Sequence, residues 1–186
     1  MTQKASQNNQ PQLERGLVSI FTGQGKGKTT AAIGTAVRAA GHGLKVHIIF
    51  FLKGSTYEHG EFKTLSKMPD VTIASFGKKG WLREKDTTAE HRQQAQLAFE
   101  EASKAVNGGE YDLVILDEIN VALSFGLIEL EQVIKLIEDK PKHVELILTG
   151  SDADPRLVMM ADLVSEILAI KHPFTEGIKA RKGIDY

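Results

Sequence analysis

The stretch between residues 17 and 40 constrains the fold more than any other part of the chain. A short apolar run, Leu17–Phe21, leads into a glycine-rich loop, residues 22–30, and an alanine-rich helical stretch, Ala31–Ala40, follows at once. A buried strand, a glycine-rich turn and a helix that opens with Gly-Lys-Thr form a cradle for phosphate groups, because the loop amides and the helix N-terminus are positively polarised. We therefore expect the chain to bind a nucleoside triphosphate.

The residues of this loop are the predicted nucleotide contacts. Lys28 brings a full positive charge to the phosphates, and the hydroxyl of Thr29 is placed to bind Mg²⁺. The spacing is unusual: the standard motif has glycine where this chain has Thr22, so the cradle is one residue short when it is counted from Gly23. The candidate ATP-binding residues are Thr22, Gly23, Gln24, Gly25, Lys26, Gly27, Lys28, Thr29 and Thr30.

Length and charge bound the remaining possibilities. A chain of 186 residues is long enough for one domain with a real core, and its net charge of −1 argues against nucleic acid or a membrane surface as a partner. The absence of cysteine excludes disulfides and thiolate metal sites. No apolar run approaches the roughly 20 residues of a membrane span and no leader peptide is recognisable, so we expect a cytoplasmic protein.

Two parts are expected along the chain. Residues 1–15 are predicted to be a flexible polar arm, because residues 1–12 are rich in Gln and Asn and show no periodicity. This arm is either a disordered tail or a segment that orders over a bound ligand. Residues 16–186 are predicted to form a single α/β domain.

Short apolar runs alternate with helical patterns from Leu17 onward. Nearly unbroken apolar runs are typical of parallel strands that helices cover on both faces. The fold class predicted is α/β, with a mostly parallel sheet of about six strands and helices on both faces. The candidate strands are Leu17–Phe21, Val46–Phe51, Val71–Ser75, Leu113–Leu116, Val144–Leu148 and Leu163–Ile170.

Capping signals mark the intervening helices. Thr87-Thr88-Ala89-Glu90 predicts a capping box at the start of a helix that stops at Gly108-Gly109. Apolar residues at helical spacing between Leu130 and Ile137 predict a second amphipathic helix. Asp154-Pro155 predicts an N-cap followed by proline in the first turn.

The run Leu113–Leu116 ends in two carboxylates, Asp117 and Glu118. Such a strand places acids at the carboxyl edge of a parallel sheet. The glycine-rich loop, residues 22–30, which we call the phosphate loop, lies at the same edge. A carboxylate in that position can bind Mg²⁺ directly or through water. The sequence does not distinguish which of the two acids contacts the metal.

Two further segments have alternative interpretations. Lys53-Gly54 directly follows the second predicted strand and is either an ordinary loop or a segment that reaches a ligand. Residues 171–186 combine cations, aromatics and glycines without an amphipathic period. This C-terminal segment is either a frayed basic tail or a loop-rich segment that closes over an anionic ligand.

Four elements occur together in an order that resembles the P-loop type of ATP:corrinoid adenosyltransferase. They are residues 22–30, Leu116-Asp117-Glu118, Thr149-Gly150 followed by residues 161–164, and the ending His172-Pro173-Phe174 with Gly177-Ile178-Lys179-Ala180 and Gly183-Ile184. The similarity covers about residues 16–186. It implies a P-loop NTPase (RecA-like) architecture.

The resemblance also implies a reaction. Corrinoid cobalt, reduced to Co(I), attacks the 5′ carbon of ATP, and tripolyphosphate leaves. The family holds ATP reversed relative to other P-loop proteins, for which the shortened cradle offers a reason. Lys28, Thr29 and Glu118 are the implied catalytic residues, and Thr29, Asp117 and Glu118 would hold Mg²⁺ (or Mn²⁺). A reduced flavoprotein as electron donor and a homodimer are implied as partners.

The chain departs from the family pattern after the third predicted strand. An aromatic-rich stretch is common there and is thought to displace the lower axial ligand of cobalt, but residues 76–82 offer only Trp81 and Phe76. The candidate corrinoid contacts are Trp81, His172 and Phe174. A kinase or RecA-like ATPase and a nonenzymatic corrinoid or nucleotide carrier are the alternative functions.

Overall fold

The computed structural model describes residues 13–54, 60–78, 80 and 82–186. Its six strands form one sheet in the order β3-β2-β4-β5-β1-β6, and every neighbouring pair is parallel. All six predicted strands are present. Their bounds are β1 (Val18–Thr22), β2 (Val46–Phe50), β3 (Val71–Ser75), β4 (Leu113–Asp117), β5 (Glu145–Thr149) and β6 (Leu163–Glu166).

Helices cover both faces of this sheet, as predicted. Those in the described ranges are α1 (Lys28–Gly41), α2 (Gly60–Leu65), α3 (Ala89–Asn107), α4 (Ile119–Ser124), α5 (Leu130–Asp139) and α6 (Pro155–Met160), with 3₁₀ turns at Glu84–Asp86 and Pro173–Glu176. Buried residues of α1 and α2 pack on one face, and those of α3 to α6 pack on the other. None of the described helices is long and apolar enough to cross a bilayer.

Strand β4 shows why the central strands are apolar without interruption. Leu113 and Ile115 belong to the core under α1, whereas Val114 and Leu116 belong to the core under α3. Successive side chains of a strand point to opposite faces, so a sheet covered on both faces needs apolar residues at every position. The predicted reason for the apolar runs is therefore confirmed.

The start of α3 differs by one residue from the predicted capping box. The N-cap is Thr88, whose Oγ1 accepts from the backbone N–H of His91, and His91 Nδ1 accepts from the N–H of Thr88. Glu90, expected to close the box, instead pairs with Lys78 at 2.5 Å. The imidazole of His91 can accept the same kind of backbone hydrogen bond as the carboxylate of Glu90. The sequence therefore does not show which of the two adjacent threonines is the N-cap. Gly108 ends the helix as predicted.

Strand β6 is shorter than the predicted Leu163–Ile170. It pairs only with β1, and β1 ends at Thr22, where the phosphate loop begins. Beyond that point Ile167 donates its N–H to Thr22 O at 2.8 Å, while its own carbonyl accepts from Gly25 at 2.7 Å. The apolar sequence continues, but its hydrogen-bonding partner is now a loop.

The first residues of the chain are described only from residue 13, so most of the predicted arm, residues 1–15, lies outside the described residues. The chain is hydrogen-bonded into the fold from Gly16, whose N–H donates to Lys142 O at 2.7 Å. A Cβ at Gly16 would lie 2.1 Å from the backbone of Val144, so only glycine allows this close approach.

Candidate functional site

The phosphate loop joins β1 to α1 as the motif predicts. Helix α1 begins at Lys28, directly after Gly27, which has a φ of 127°. The ammonium of Lys28 folds back over the loop and donates to Gly23 O at 2.7 Å and to Gly25 O at 2.8 Å. The N-terminus of α1 and a full positive charge therefore converge on the same loop, which is the arrangement that an oligophosphate requires.

Two loop glycines have a packing role that the motif does not reveal. A Cβ at Gly23 would lie 2.5 Å from Ile167 O, and one at Gly25 would lie 2.7 Å from Leu168 O. These contacts are closer than any side chain tolerates, so the segment that follows β6 can touch the loop only where glycine stands. The loop is therefore shaped from outside by residues about 140 positions further along the chain.

Asp117 is the last residue of β4, and Lys53 connects its carboxylate to Thr29 at the end of this loop. The Asp117 side chain is 1% exposed and is held at both oxygens: Oδ1 accepts from Thr149 Oγ1 at 2.7 Å, and Oδ2 accepts from Lys53 Nζ at 2.5 Å. Thr149, the last residue of β5, also accepts from the N–H of Glu118 at 3.0 Å. Three neighbouring strand ends thus fix one buried carboxylate.

Glu118 occupies a strained backbone position between β4 and α4. Its φ of 66° is left-handed, which is unusual for a residue with a long side chain. Burial and the nearby charge of Asp117 raise the pKa of the Glu118 carboxyl, against the attraction of Lys53 and Lys28. The described non-glycine residues with positive φ are Leu52, Glu118 and Asp152, and each follows the carboxyl end of a strand at this edge.

Lys53, one of the residues left open by sequence, lies inside the site. In addition to its contact with Asp117, its Nζ donates to Thr29 Oγ1 at 3.4 Å and lies 5.3 Å from the centroid of the Phe50 ring. Burial lowers the pKa of Lys53, but the charges of Asp117 and Glu118 more than offset that effect and raise it above its ordinary value. The side chain is therefore a cation.

The oxygen groups of this site fit a hard divalent cation. Thr29 Oγ1 and Asp117 Oδ2 already share one cation, the ammonium of Lys53. Hydroxyl and carboxylate oxygens are the ligands that Mg²⁺ prefers. In the described ranges, no three His, Cys, Asp or Glu side chains cluster closely enough to hold a metal ion by themselves. A metal bound here would need further oxygens, which nucleotide phosphates can supply.

The C-terminal turn, residues 181–186, contacts the phosphate loop. Lys26 Nζ donates to Ile184 O at 2.9 Å and pairs with the Asp185 carboxylate. Arg181 binds the same carboxylate through Nε at 3.0 Å, and these two cations hold the pKa of Asp185 well below its usual range, Arg181 contributing most. Residues 181–186 are therefore not a frayed tail, and the remaining question is their role toward a ligand.

The three candidate corrinoid contacts are not brought to the phosphate loop by described contacts. Trp81 lies outside the described residues. His172 caps a 3₁₀ turn, since its Nδ1 accepts from the N–H of Phe174 at 3.2 Å, and its described hydrogen bonds all stay within residues 172–175. Phe174 is 78% exposed. The assignment of these residues to a corrinoid stays a prediction.

The remaining candidates are Thr22 at the end of β1, Gln24 in the loop that follows, and Thr30 in α1. Thr22 Oγ1 accepts from the N–H of Ala153 at 3.2 Å, and Gln24 Nε2 donates to Asp152 Oδ1 at 3.0 Å. Thr30 is an exposed residue in the first turn of α1. Sequence reasoning named Thr149 only as part of the resemblance and gave it no role in the site, and it left Lys53 open. Thr149 ends β5 and Lys53 follows β2, which was a usable signal.

The fold resembles that of a protein whose crystal structure is known. The KaiC-like protein PH0186 from Pyrococcus horikoshii OT3 superposes with a TM-score of 0.55 at 17% identity, over 84% of this chain and 74% of that one. At such low identity the likeness concerns the fold alone, and it confirms the predicted RecA-like architecture.

Sequence relatives are much more similar. The corrinoid adenosyltransferase of Escherichia coli (strain K12) is 38% identical over 95% of this chain and 89% of its own length. CobA of Salmonella typhimurium (strain LT2) has the same identity and coverage, and the corrinoid adenosyltransferase of Pseudomonas aeruginosa PAO1 is 34% identical over 93% of this chain and 85% of its own. The model of the ATP:corrinoid adenosyltransferase family BtuR/CobO/CobP matches residues 14–186. With the phosphate loop, both carboxylates and the C-terminal turn all inside the matched span, the chain belongs to the ATP:corrinoid adenosyltransferase family.

Proposed function

We propose that this enzyme transfers the 5′-deoxyadenosyl group of ATP to the cobalt of a corrinoid in the biosynthesis or salvage of adenosylcobalamin. The observation that carries the proposal is the family match along residues 14–186, which includes every residue of the phosphate loop. In the reaction, the electron pair of Co(I) forms a bond to C5′ while the bond between C5′ and oxygen breaks. Its electrons leave with tripolyphosphate, so no protein nucleophile is required.

The residues of the site would stabilise the negative charge of the leaving group. Lys28, the loop amides and the N-terminus of α1 offset the negative charge of the tripolyphosphate, and they are in place before the reaction. Thr29 with Asp117 or Glu118 would hold Mg²⁺ (or Mn²⁺). When it is bound, the divalent ion neutralises part of the charge that accumulates on the leaving group.

The orientation of ATP follows from this chemistry. A kinase must expose the terminal phosphate to its acceptor, whereas this reaction needs enclosed phosphates and an exposed C5′. Two features support such enclosure: the loop is one residue short, and the C-terminal turn rests on Lys26. We infer that ATP binds with its phosphates in the loop and its ribose toward the corrinoid.

The corrinoid would contact Trp81, His172 and Phe174. Of these, the exposed ring of Phe174 offers the apolar surface that a large macrocycle needs. Reduction of the corrinoid to Co(I) would use electrons from a separate donor such as a reduced flavoprotein. The preferred corrinoid is cobalamin, cobinamide or cobyrinic acid a,c-diamide, and all three share the cobalt centre on which the mechanism depends. We place this reaction in the cytoplasm.

A homodimer is proposed as the working assembly, with residues 16–186 as one domain and residues 1–15 as its arm. Support comes from an unusual concentration of exposed apolar side chains toward the C-terminus, along the edge strand β6 and beyond it. They are Met159, Leu163, Val164, Leu168, Ile170, Phe174, Ile178, Ile184 and Tyr186. Sedimentation equilibrium at micromolar concentration tests the assembly, and a monomer would refute it.

Anaerobic turnover tests the proposed function. The protein is incubated with ATP, Mg²⁺ and chemically reduced cobalamin, and the cobalt–carbon absorption spectrum is recorded together with the phosphorus products. We expect adenosylcobalamin and tripolyphosphate in equal amounts. ADP and orthophosphate formed without corrinoid would show a phosphoryl-transfer enzyme instead, and tight binding of adenosylcobalamin without turnover would show a carrier.

A further inference from the structure

A lysine ammonium stands at the oxygen groups proposed to bind the metal. Lys53 Nζ lies 2.5 Å from Asp117 Oδ2 and 3.4 Å from Thr29 Oγ1, and its side chain is 18% exposed. A divalent ion that used both oxygens would compete with this ammonium for the same carboxylate oxygen. Lys53 and the metal therefore cannot both keep their full contact with Asp117.

The backbone around Lys53 is held so that the side chain points into the site. Leu52 before it has a left-handed φ of 62°, and the hydroxyl of Ser75, at the end of β3, donates to the carbonyl of Lys53. A Cβ at Gly77 would lie 2.6 Å from Leu52 C, and one at Gly54 would lie 2.9 Å from Gly77 O. Strain and close backbone packing of this kind are retained where a side chain must be positioned.

Charge explains what the ammonium does for Asp117. Asp117 is 1% exposed, and a buried carboxylate without a cation is strongly unfavourable. Lys53 neutralises it, whereas the ammonium of Lys28 is bound to loop carbonyls. A free divalent ion entering this site would have to displace Lys53 from Asp117 and leave its charge beside two other positive groups, the metal itself and Lys28, a repulsion that the attraction of Glu118 offsets only in part.

ATP changes that balance. Its phosphates carry several negative charges, so they can receive both the displaced ammonium and the metal. We propose that Lys53 is a positioning residue that acts as an internal counter-cation: it holds Asp117 in place and keeps free divalent metal out of the Thr29–Asp117 site until metal arrives together with ATP. This inference rests on the metal site of the proposed function and adds an order of binding to it.

The test measures Mn²⁺ binding by electron paramagnetic resonance, with and without ATP. Wild-type protein is expected to bind Mn²⁺ weakly alone and tightly with ATP. Lys53→Met is expected to bind Mn²⁺ alone at least about tenfold more tightly than wild type, because the competing charge is gone. Lys53→Arg keeps a cation and should resemble wild type. Lys135→Met, which removes a cation from an exposed pair with Asp139, is the matched control and should have no effect.

Unfolding temperatures give a second readout. Lys53→Met should melt at a lower temperature than wild type without metal and regain stability when Mn²⁺ is added, whereas wild type should not respond to Mn²⁺ alone. Equal Mn²⁺ affinity of Lys53→Met and wild type would overturn the role of Lys53, even if wild type forms adenosylcobalamin. Tight binding of Mn²⁺ to wild type without ATP would overturn it too, whether or not the variant folds. Absence of Mn²⁺ binding even with ATP would remove the metal site itself and both proposals that use it.

Discussion

The hydroxyl of Thr149 donates a hydrogen bond of 2.7 Å to Oδ1 of Asp117, and so connects the ends of β5 and β4. Thr149 Oγ1 also accepts a hydrogen bond from the N–H of Glu118, where the backbone is left-handed. One fully buried threonine thereby fixes the orientation of a carboxylate and the conformation of the residue that follows it. The position of both acids depends on a strand that is about 30 residues away in sequence.

Thr149→Val is expected to weaken both the fold and the binding of Mg·ATP. Valine has a similar volume but leaves Asp117 Oδ1 and the Glu118 N–H without this partner, at a cost of about 1–3 kcal/mol. Urea unfolding measures the stability, and calorimetric titration with Mg·ATP measures the affinity. Thr149→Ser keeps the hydroxyl and should retain most of both. Equal effects of valine and serine would show that packing matters here and the hydroxyl does not.

Lys28→Ala is expected to lower the rate of tripolyphosphate release by at least about 100-fold, because the variant lacks the positive charge that stabilises the leaving group. The fold should remain, as judged by circular dichroism, since the hydrogen bonds of this side chain go to carbonyls of its own loop. Lys135→Ala, on an exposed face of α5, removes the same charge outside the phosphate loop and is the control. Substantial activity of Lys28→Ala would contradict the role of the loop.

Gly25→Ala should destabilise the protein by about 1–3 kcal/mol, because the new Cβ would lie 2.7 Å from the backbone of Leu168. Gly34→Ala is a matched control in the middle of α1, where a Cβ meets nothing within 4 Å. It should stabilise the protein by about 0.5–1 kcal/mol through helix propensity. Thermal unfolding of the two variants gives the comparison, and the same sign for both would refute the packing role of Gly25.

Asp185→Ala should release the C-terminal turn from the phosphate loop, because the carboxylate pairs with both Lys26 and Arg181. Hydrogen exchange is expected to become faster in residues 181–186, and ATP should protect this segment less than in wild type. Asp139→Ala, which breaks an exposed pair with Lys135, should leave the exchange there unchanged. Slow exchange that persists in Asp185→Ala would mean that other contacts hold the turn.

Stability is expected to fall as the pH drops below about 6.5 because of His47. This side chain is 4% exposed, its Nδ1 lies 2.6 Å from Thr72 Oγ1, and its ring stacks on Tyr111 at 4.8 Å. Burial lowers its pKa from 6.5, although Glu101 and Glu110 oppose the shift. Nε2 lies 3.3 Å from Glu101 Oε1 but does not form a hydrogen bond.

The sign follows from proton uptake. Between pH 6.5 and the lowered pKa, the unfolded chain binds a proton that the folded chain does not, so stability declines with falling pH and levels off below the folded pKa. One group contributes a slope of at most about 1.4 kcal/mol per pH unit. Subtracting the pH profile of His47→Asn from that of wild type isolates this contribution. A difference profile that is flat below pH 6.5 would refute it.

Local patterns were sufficient for the strands, the main helices and the phosphate loop, because apolar runs, capping residues and glycine spacing act over a few neighbouring positions. They placed the acids of β4 at the same sheet edge as well, because the apolar run that ends in Asp117-Glu118 occurs in a chain that also has the glycine-rich loop. Local patterns did not predict where every strand and helix begins or ends. The apolar run from Leu163 to Ile170 does not become one strand, because its partner β1 ends at Thr22.

The order of strands in the sheet, in contrast, is decided by long-range packing. Because β2 and β5 both lie beside β4, Lys53 and Thr149 reach Asp117 from 64 and 32 residues away. The contact of Lys26 with Ile184 spans 158 residues. No local pattern encodes such neighbours: they arise only when the two faces of the sheet are buried together and the carboxyl ends of parallel strands meet at one edge. Residue types and motifs thus predict a phosphate site in this chain, and the tertiary structure decides which distant side chains lie beside it.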